Sequence, residues 1–182
     1  MNILRKQEVI MNDISDFKVG DQIKVGKYTA TCQKVMDKGA VFMLDQYLDK
    51  TYRMNSEPIS HDKAFNFKGN IYILSELRRE LLKDFKADPE FIDILDHLVP
   101  FYNGDIVRIP SVDEMFGGDW ELMTVRKNRI ADRNGDDIEW GWLCNKNSDS
   151  FIFFDVVTSC GTAFRDSASN YYGVRPVFIF GR

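Results

Sequence analysis

The sequence predicts an α+β protein with antiparallel sheets and a central helix pair. Three observations carry this. Short apolar runs of strand length, bounded by turn residues, occupy the first and last thirds of the chain. Two segments with helical spacing stand between them. The order is therefore strands, helices, strands, and not the βαβ alternation that builds a parallel sheet.

The elements follow in chain order. Residues 1–16 are weakly patterned and read as an N-terminal arm. Residues 17–182 read as one compact domain, β-rich over 17–70, a helix pair over 71–100 and β-rich again over 101–182. Val19-Gly20-Asp21 is a turn signal, after which Ile23 and Val25 alternate with Gln22 and Lys24. Gly26-Lys27 turns the chain into a second alternating run through Tyr28, Ala30 and Cys32. Asp37-Lys38-Gly39 turns it again into the apolar run 40–44, which makes a three-stranded meander. Residues 45–70 contain Asn55, Pro58 and Gly69 with little period, and read as irregular.

Ser75 opens the first helix, with Leu74, Leu77, Leu81, Leu82 and Phe85 at helical spacing. Asp88-Pro89-Glu90 opens the second, an Asp cap followed by proline and an acid in the first turn. Phe91, Ile92, Ile94, Leu95 and Leu98 form its stripe, and Pro100 stops it. Residues 106–109 read as a short strand. Ser111-Val112-Asp113-Glu114 has capping-box spacing, so one helical turn follows it and ends near Gly117-Gly118. Residues 139–143, 151–157 and 174–180 read as strands, and Asn134-Gly135 as a hairpin turn.

Composition narrows the function. The 182 residues are 44% apolar and 29% charged, which excludes disorder and fibrous repeats. Net charge is −4, so no nucleic-acid footprint of clustered Lys and Arg is expected, and direct nucleic-acid binding is disfavoured. The local basic run Arg126, Lys127, Arg129 and Arg133 reads as a solvated hairpin. Charge is uneven: net +2 over residues 1–70 and −6 over 71–182. Cys32, Cys144 and Cys160 are odd in number, without C-x-x-C spacing, and read as buried small hydrophobes in a reducing compartment. No run approaches the ~18–20 apolar residues of a membrane span. The first residues lack a signal-peptide h-region, so a cytoplasmic location in a host cell is expected, with a virion as the alternative.

Candidate sites are few. No P-loop, G-x-G-x-x-G, G-x-S-x-G or H-E-x-x-H occurs, and no catalytic residue, metal or cofactor is expected. Asp132, Asn134 and Asp136 fall at positions 1, 3 and 5 of a calcium-type loop completed by Asp137. The glycine is at position 4 instead of 6, and Leu143 stands where a bidentate Glu is needed, so a polar hairpin tip is the reading. His97 ends the second helix, with Asp93 four positions before it. Glu76, Glu80 and Asp84 repeat at four-residue spacing and Asp93 continues them, an acidic stripe able to meet a basic partner. Trp140 and Trp142 share one face of a strand and read as core. Asn145, Asn147 and Tyr171 lie in polar loops of the adaptable binding type.

The C-terminal stretch carries a resemblance. Trp142-Leu143-Cys144-Asn145, residues 153–161 and Tyr172-Gly173-Val174-Arg175-Pro176-Val177-Phe178 resemble a bacterial and phage family of unknown function. That family is marked by W-L-R, a strand ending in V-x-x-x-G and a closing G-V-R-P-A-F. Val19-Gly20-Asp21, Leu74-Ser75-Glu76-Leu77-Arg78 and Ile109-Pro110-Ser111-Val112-Asp113-Glu114 match its earlier motifs, so the resemblance spans about residues 17–180. It implies a distantly C-type-lectin-like fold, related to formylglycine-generating enzymes but without a matching cysteine pair. It implies structural roles for four residues: Trp142 in the core, Gly173 at a tight approach, Arg175 in an internal ion pair, and Pro176 beside it. Cys144 stands where the family has arginine.

Two functional expectations follow. The first is a non-enzymatic protein-binding module of phage or mobile-element origin. It would inhibit a host defence nuclease, of the anti-CRISPR type with a Cas9-like target, through its acidic face. The second is a C-type-lectin-like ligand-recognition domain of a phage particle or cell surface, binding glycan or protein.

Overall fold

The structure is a computed structural model that describes residues 17–60, 70–135, 138–146 and 152–181. The N-terminal arm expected over residues 1–16 lies outside the described residues. The predicted meander is present as β1 (Gln22–Val25), β2 (Tyr28–Met36) and β3 (Gly39–Leu44). The last strand, β10 (Val177–Gly181), lies antiparallel beside β3, and β5 (Leu98–Val99) closes the sheet in the order β1-β2-β3-β10-β5. A register shift between Cys32 and Lys34 leaves Gln33 as the extra residue of a bulge in β2.

β3 and β10 are buried along their whole length, because each sheet face carries its own core. Ala40, Phe42, Leu44, Phe178 and Phe180 point to the larger core, which holds Phe85 and Phe91 from the helical region. Val41, Met43, Val177 and Ile179 point to a second core with Met115, Trp120, Met123 and Leu143. A strand buried on both faces reads as a continuous apolar run, which is how 40–44 and 177–180 look in sequence.

The helix pair is partly as expected. Ser75 caps α1 (Glu76–Ala87), accepting from the Arg78 N–H at 3.1 Å, and Leu77, Leu81 and Phe85 form its buried stripe. Asp88 caps the next element with Pro89 in its first turn, but Pro89–His97 is a 3₁₀ helix, and its end passes directly into β5. The His97 imidazole stacks on Phe180 with centroids 5.5 Å apart. The capping box at Ser111 and Glu114 forms as predicted and starts α2 (Val112–Phe116).

Other expectations are corrected. Residues 106–109 make only an isolated bridge, Arg108 to Val177. The basic run is not a hairpin: residues Arg126–Arg129 form a helical turn, α3, after a 3₁₀ turn at Glu121–Thr124. Asn134 and Gly135 do adopt positive φ, 56° and 79°, but among the described residues no two paired strands flank them. A three-stranded sheet forms from β6 (Gly141–Lys146), β7 (Phe153–Val157) and β8 (Ala163–Ser167). Its third strand lies between residues 151–157 and 174–180 and is not among the strands the sequence predicts. A two-stranded ribbon joins β4 (Tyr52–Arg53), within the segment read as irregular, to β9 (Tyr171–Tyr172). Cys32 and Cys144 are buried, whereas Cys160 is exposed, against the expectation that all three are inside. Among the described residues no helix is long and apolar enough to cross a membrane.

Candidate functional site

The acidic stripe is not a row of unpaired carboxylates. Glu76 accepts from the Ser56 N–H at 3.0 Å and from the Ser56 hydroxyl, and Arg53 lies 3.5 Å away. Those bonds to Ser56 hold its carboxyl below the usual range. Glu80 and Asp84 share Lys50, at 3.2 and 2.7 Å, and the Tyr52 hydroxyl donates to Asp84 at 3.0 Å. Asp93 alone of the four is exposed without a partner among the described residues.

Of the stripe, Asp84 lines a pocket of about 310 Å³, and Lys50, which it shares with Glu80, lines it too. Its rim carries Asp49, Lys50, Asp84 and Asp88, and its floor is Tyr28, Tyr52, Phe85 and Phe91. The floor is rigid: Tyr28 and Phe91 stack at 5.6 Å with planes 2° apart, and Phe85 and Phe91 stack at 4.1 Å. The Lys50 ammonium rests 4.6 Å from the Tyr52 ring centre, and Lys27 bonds Asp49. Both lysines have raised pKa values, chiefly through hydrogen bonds to Asp84 and Asp49 respectively. Glu90 accepts from the Lys27 N–H at 2.6 Å. Carboxylates thus outnumber ammonium groups around an aromatic floor. That arrangement binds cations by charge and by the ring faces.

The other candidate residues are scattered. The Asp132 carboxylate accepts from the Gly135 N–H at 3.2 Å and serves the turn. Asn134 is exposed there. Asp136, Asp137 and Asn147 lie outside the described residues. The Asn145 amide oxygen accepts from the Val112 N–H at 2.7 Å, so it helps cap α2 and is not presented in a loop. Tyr171 is 58% exposed, with the Arg53 guanidinium 5.8 Å from its ring centre. Arg53 therefore links Tyr171 to Glu76, two residues far apart in sequence. Among the described residues no three His, Cys, Asp or Glu side chains converge on a metal position.

The four signature residues sit inside. Trp142 is buried and donates through Nε1 to the Tyr52 carbonyl at 2.7 Å. A Cβ on Gly173 would stand 2.5 Å from Tyr47 Cγ, so the ring fits only against a glycine. The Pro176 carbonyl accepts from the Leu44 N–H at 3.0 Å. Arg175 does not form the expected ion pair. It is 5% exposed and donates to two carbonyls, Leu44 at 2.8 Å and Asn128 at 3.1 Å.

Sequence reasoning missed Asp49, Lys50 and the aromatic floor. Leu48-Asp49-Lys50 sits in a stretch without period, and nothing local places it against α1. Comparisons with protein-family models, curated proteins and solved structures find no match to this chain.

Proposed function

We propose that this protein is a non-enzymatic protein-binding module that takes a basic residue of its partner at the acid-rimmed pocket between α1 and β4. The supporting observation is the gathering of Asp49, Asp84 and Asp88 over Tyr28, Tyr52 and Phe91, with the chain's own Lys50 as a resident ammonium. A partner lysine or arginine would displace or join Lys50 there, with steering from the surrounding carboxylates. The partner class we infer is a basic, nucleic-acid-binding defence nuclease of the Cas9-like kind, inhibited in the host cytoplasm by a phage or mobile-element protein. The scaffold in this reading is C-type-lectin-like.

The test is co-purification with a panel of Cas9-type nucleases, combined with a DNA cleavage assay. The expected outcome is salt-sensitive retention and protection of DNA, both reduced at least tenfold by the double substitution Asp49→Asn with Glu80→Gln. No retention and no protection across the panel would overturn the reading.

A second reading, ligand recognition by a phage particle or cell surface, is favoured by one observation. Phe164 and Tyr171 are 55% and 58% exposed, and Phe164 meets Trp140 edge-on at 5.6 Å. Exposed rings of this kind stack on sugars. A glycan array probed with and without calcium would decide it, and silence in both conditions would count against it.

A further inference from the structure

The second face of the five-stranded sheet changes character toward β1. Its apolar core gives way to Gln22, Thr31 and Gln33, which face residues 122–130 across a cavity of about 420 Å³. That volume is in the range of small-molecule sites. Asp45 and Arg175 line the same cavity.

Among the described residues, each of these two charges is hydrogen-bonded only to neutral groups. The Asp45 carboxylate accepts from the Thr31 hydroxyl at 2.5 Å and from the Gln22 amide at 3.0 Å. The Arg175 guanidinium donates to the Leu44 and Asn128 carbonyls. The two groups feel each other's charge, yet they stand beyond ion-pair distance. Burial raises the carboxyl pKa and lowers that of the guanidinium, as expected where neither has a direct counter-charge. Buried charges without direct partners are costly, and proteins retain them where something else completes them.

Two further groups belong to the cavity. Gln33, the extra residue of the β2 bulge, is 2% exposed, and its amide oxygen is buried without a partner. Its amide nitrogen is taken by the Thr31 carbonyl at 3.1 Å, so an acceptor is what remains. Lys127 is exposed in the cavity lining, without a partner among the described residues.

We propose that this cavity binds a small zwitterion of amino-acid size, with its carboxylate toward Arg175 and Lys127 and its ammonium toward Asp45 and Gln33. A molecule with both charges completes both ends at once. A simple anion or simple amine leaves one protein charge uncompensated. The proposal is independent of the pocket at α1, which lies elsewhere and presents a different chemistry.

The experiment is titration of the full chain with each of the common free L-amino acids to about 10 mM, followed by calorimetry and backbone-amide NMR. At least one is expected to bind saturably and to shift the amides of Gly20, Lys127 and Asn128. Its N-acetyl derivative, without the ammonium, and its amide, without the carboxylate, are each expected to bind about tenfold weaker or less. Asp45→Asn should weaken binding by a similar factor, while Asp49→Asn leaves it unchanged. Lys127→Ala, at an exposed position, should weaken it less and serves if Asp45→Asn fails to fold. Absence of saturable binding by every zwitterion would overturn the proposal. So would equal binding of the blocked derivatives, or shifts confined to other parts of the molecule.

Discussion

The two faces of the central sheet are built from alternate residues of the same strands, yet they differ in kind. On the first face Phe42 and Phe178 lie nearly parallel at 6.1 Å, Phe17 meets Phe42 edge-on at 5.0 Å, and Phe85 and Phe91 continue the stack into the helical region. On the second face the buried contacts are aliphatic and sulfur-rich, from Val41, Met43, Met115, Met123 and Val177, with Trp120 the one large ring among the buried residues of this cluster and Phe101 and Phe116 at its partly exposed margin. Toward β1 that face ends in Gln22, Thr31, Gln33 and Asp45 around a cavity. The difference teaches where stability is concentrated. The first face is closed by large rings, which bury the most apolar surface per residue. The second gives up apolar closure at one end and holds charges there.

Adjacent residues of β10 test this most directly. Phe178 faces the first core and Val177 the second, and both are fully buried. Phe178→Ala is expected to cost about 3–5 kcal/mol, transfer and cavity terms together. Val177→Ala should cost about 1.5–3 kcal/mol. Chemical denaturation of both variants measures the gap. Equal losses would break the comparison, because the two faces would then contribute alike.

A smaller effect is expected where the β6 sheet meets the rest of the fold. The Tyr47 ring lies between Gly141 and Gly173, and a Cβ on either would approach it to about the same 2.5 Å. Gly173→Ala is expected to destabilise by about 1–3 kcal/mol through overpacking, read as a lower melting temperature. A neutral result would mean that Tyr47 can turn aside, and that the join is looser than either core.

More of the first face than of the second was legible in the sequence. The meander, the Ser75 cap, the α1 stripe and the Ser111 capping box rest on local spacing, which a linear reading captures. β8 was missed because Ala163–Ser167 has a burial pattern with no buried residue, so it carries no apolar alternation and is ordered by pairing with β7. Pro89–His97 has the apolar spacing of an α-helix, and its 3₁₀ form is a matter of backbone geometry that spacing does not encode. The acid-rimmed pocket joins residues from three distant segments and the polar cavity from five. Arg175 was marked by the resemblance alone, and its expected carboxylate partner is replaced by carbonyls.

Asp45 gives the finest test of the second face, because the sign of its effect is unusual for a carboxylate. Burial raises its pKa above the ordinary 3.8, against the opposing pull of Thr31, Arg175 and Gln22. The folded chain therefore holds this proton more tightly than the unfolded chain. Its contribution is most favourable below pH 3.8 and is lost as pH rises through the folded value, so at neutral pH the ionised group costs stability. Glu76 has the opposite sign: its lowered pKa, caused first by Ser56, stabilises above about pH 4.5 and is lost on acidification. Asp45→Asn should accordingly raise the melting temperature at pH 7, the smallest of the effects considered. The advantage should shrink as pH falls toward 4, measured by thermal melts across that range. A lower melting temperature for Asp45→Asn at pH 7 would mean that the carboxylate anchors Thr31 and Gln22 by more than its burial costs. The polar end of the second face would then be a structural clasp.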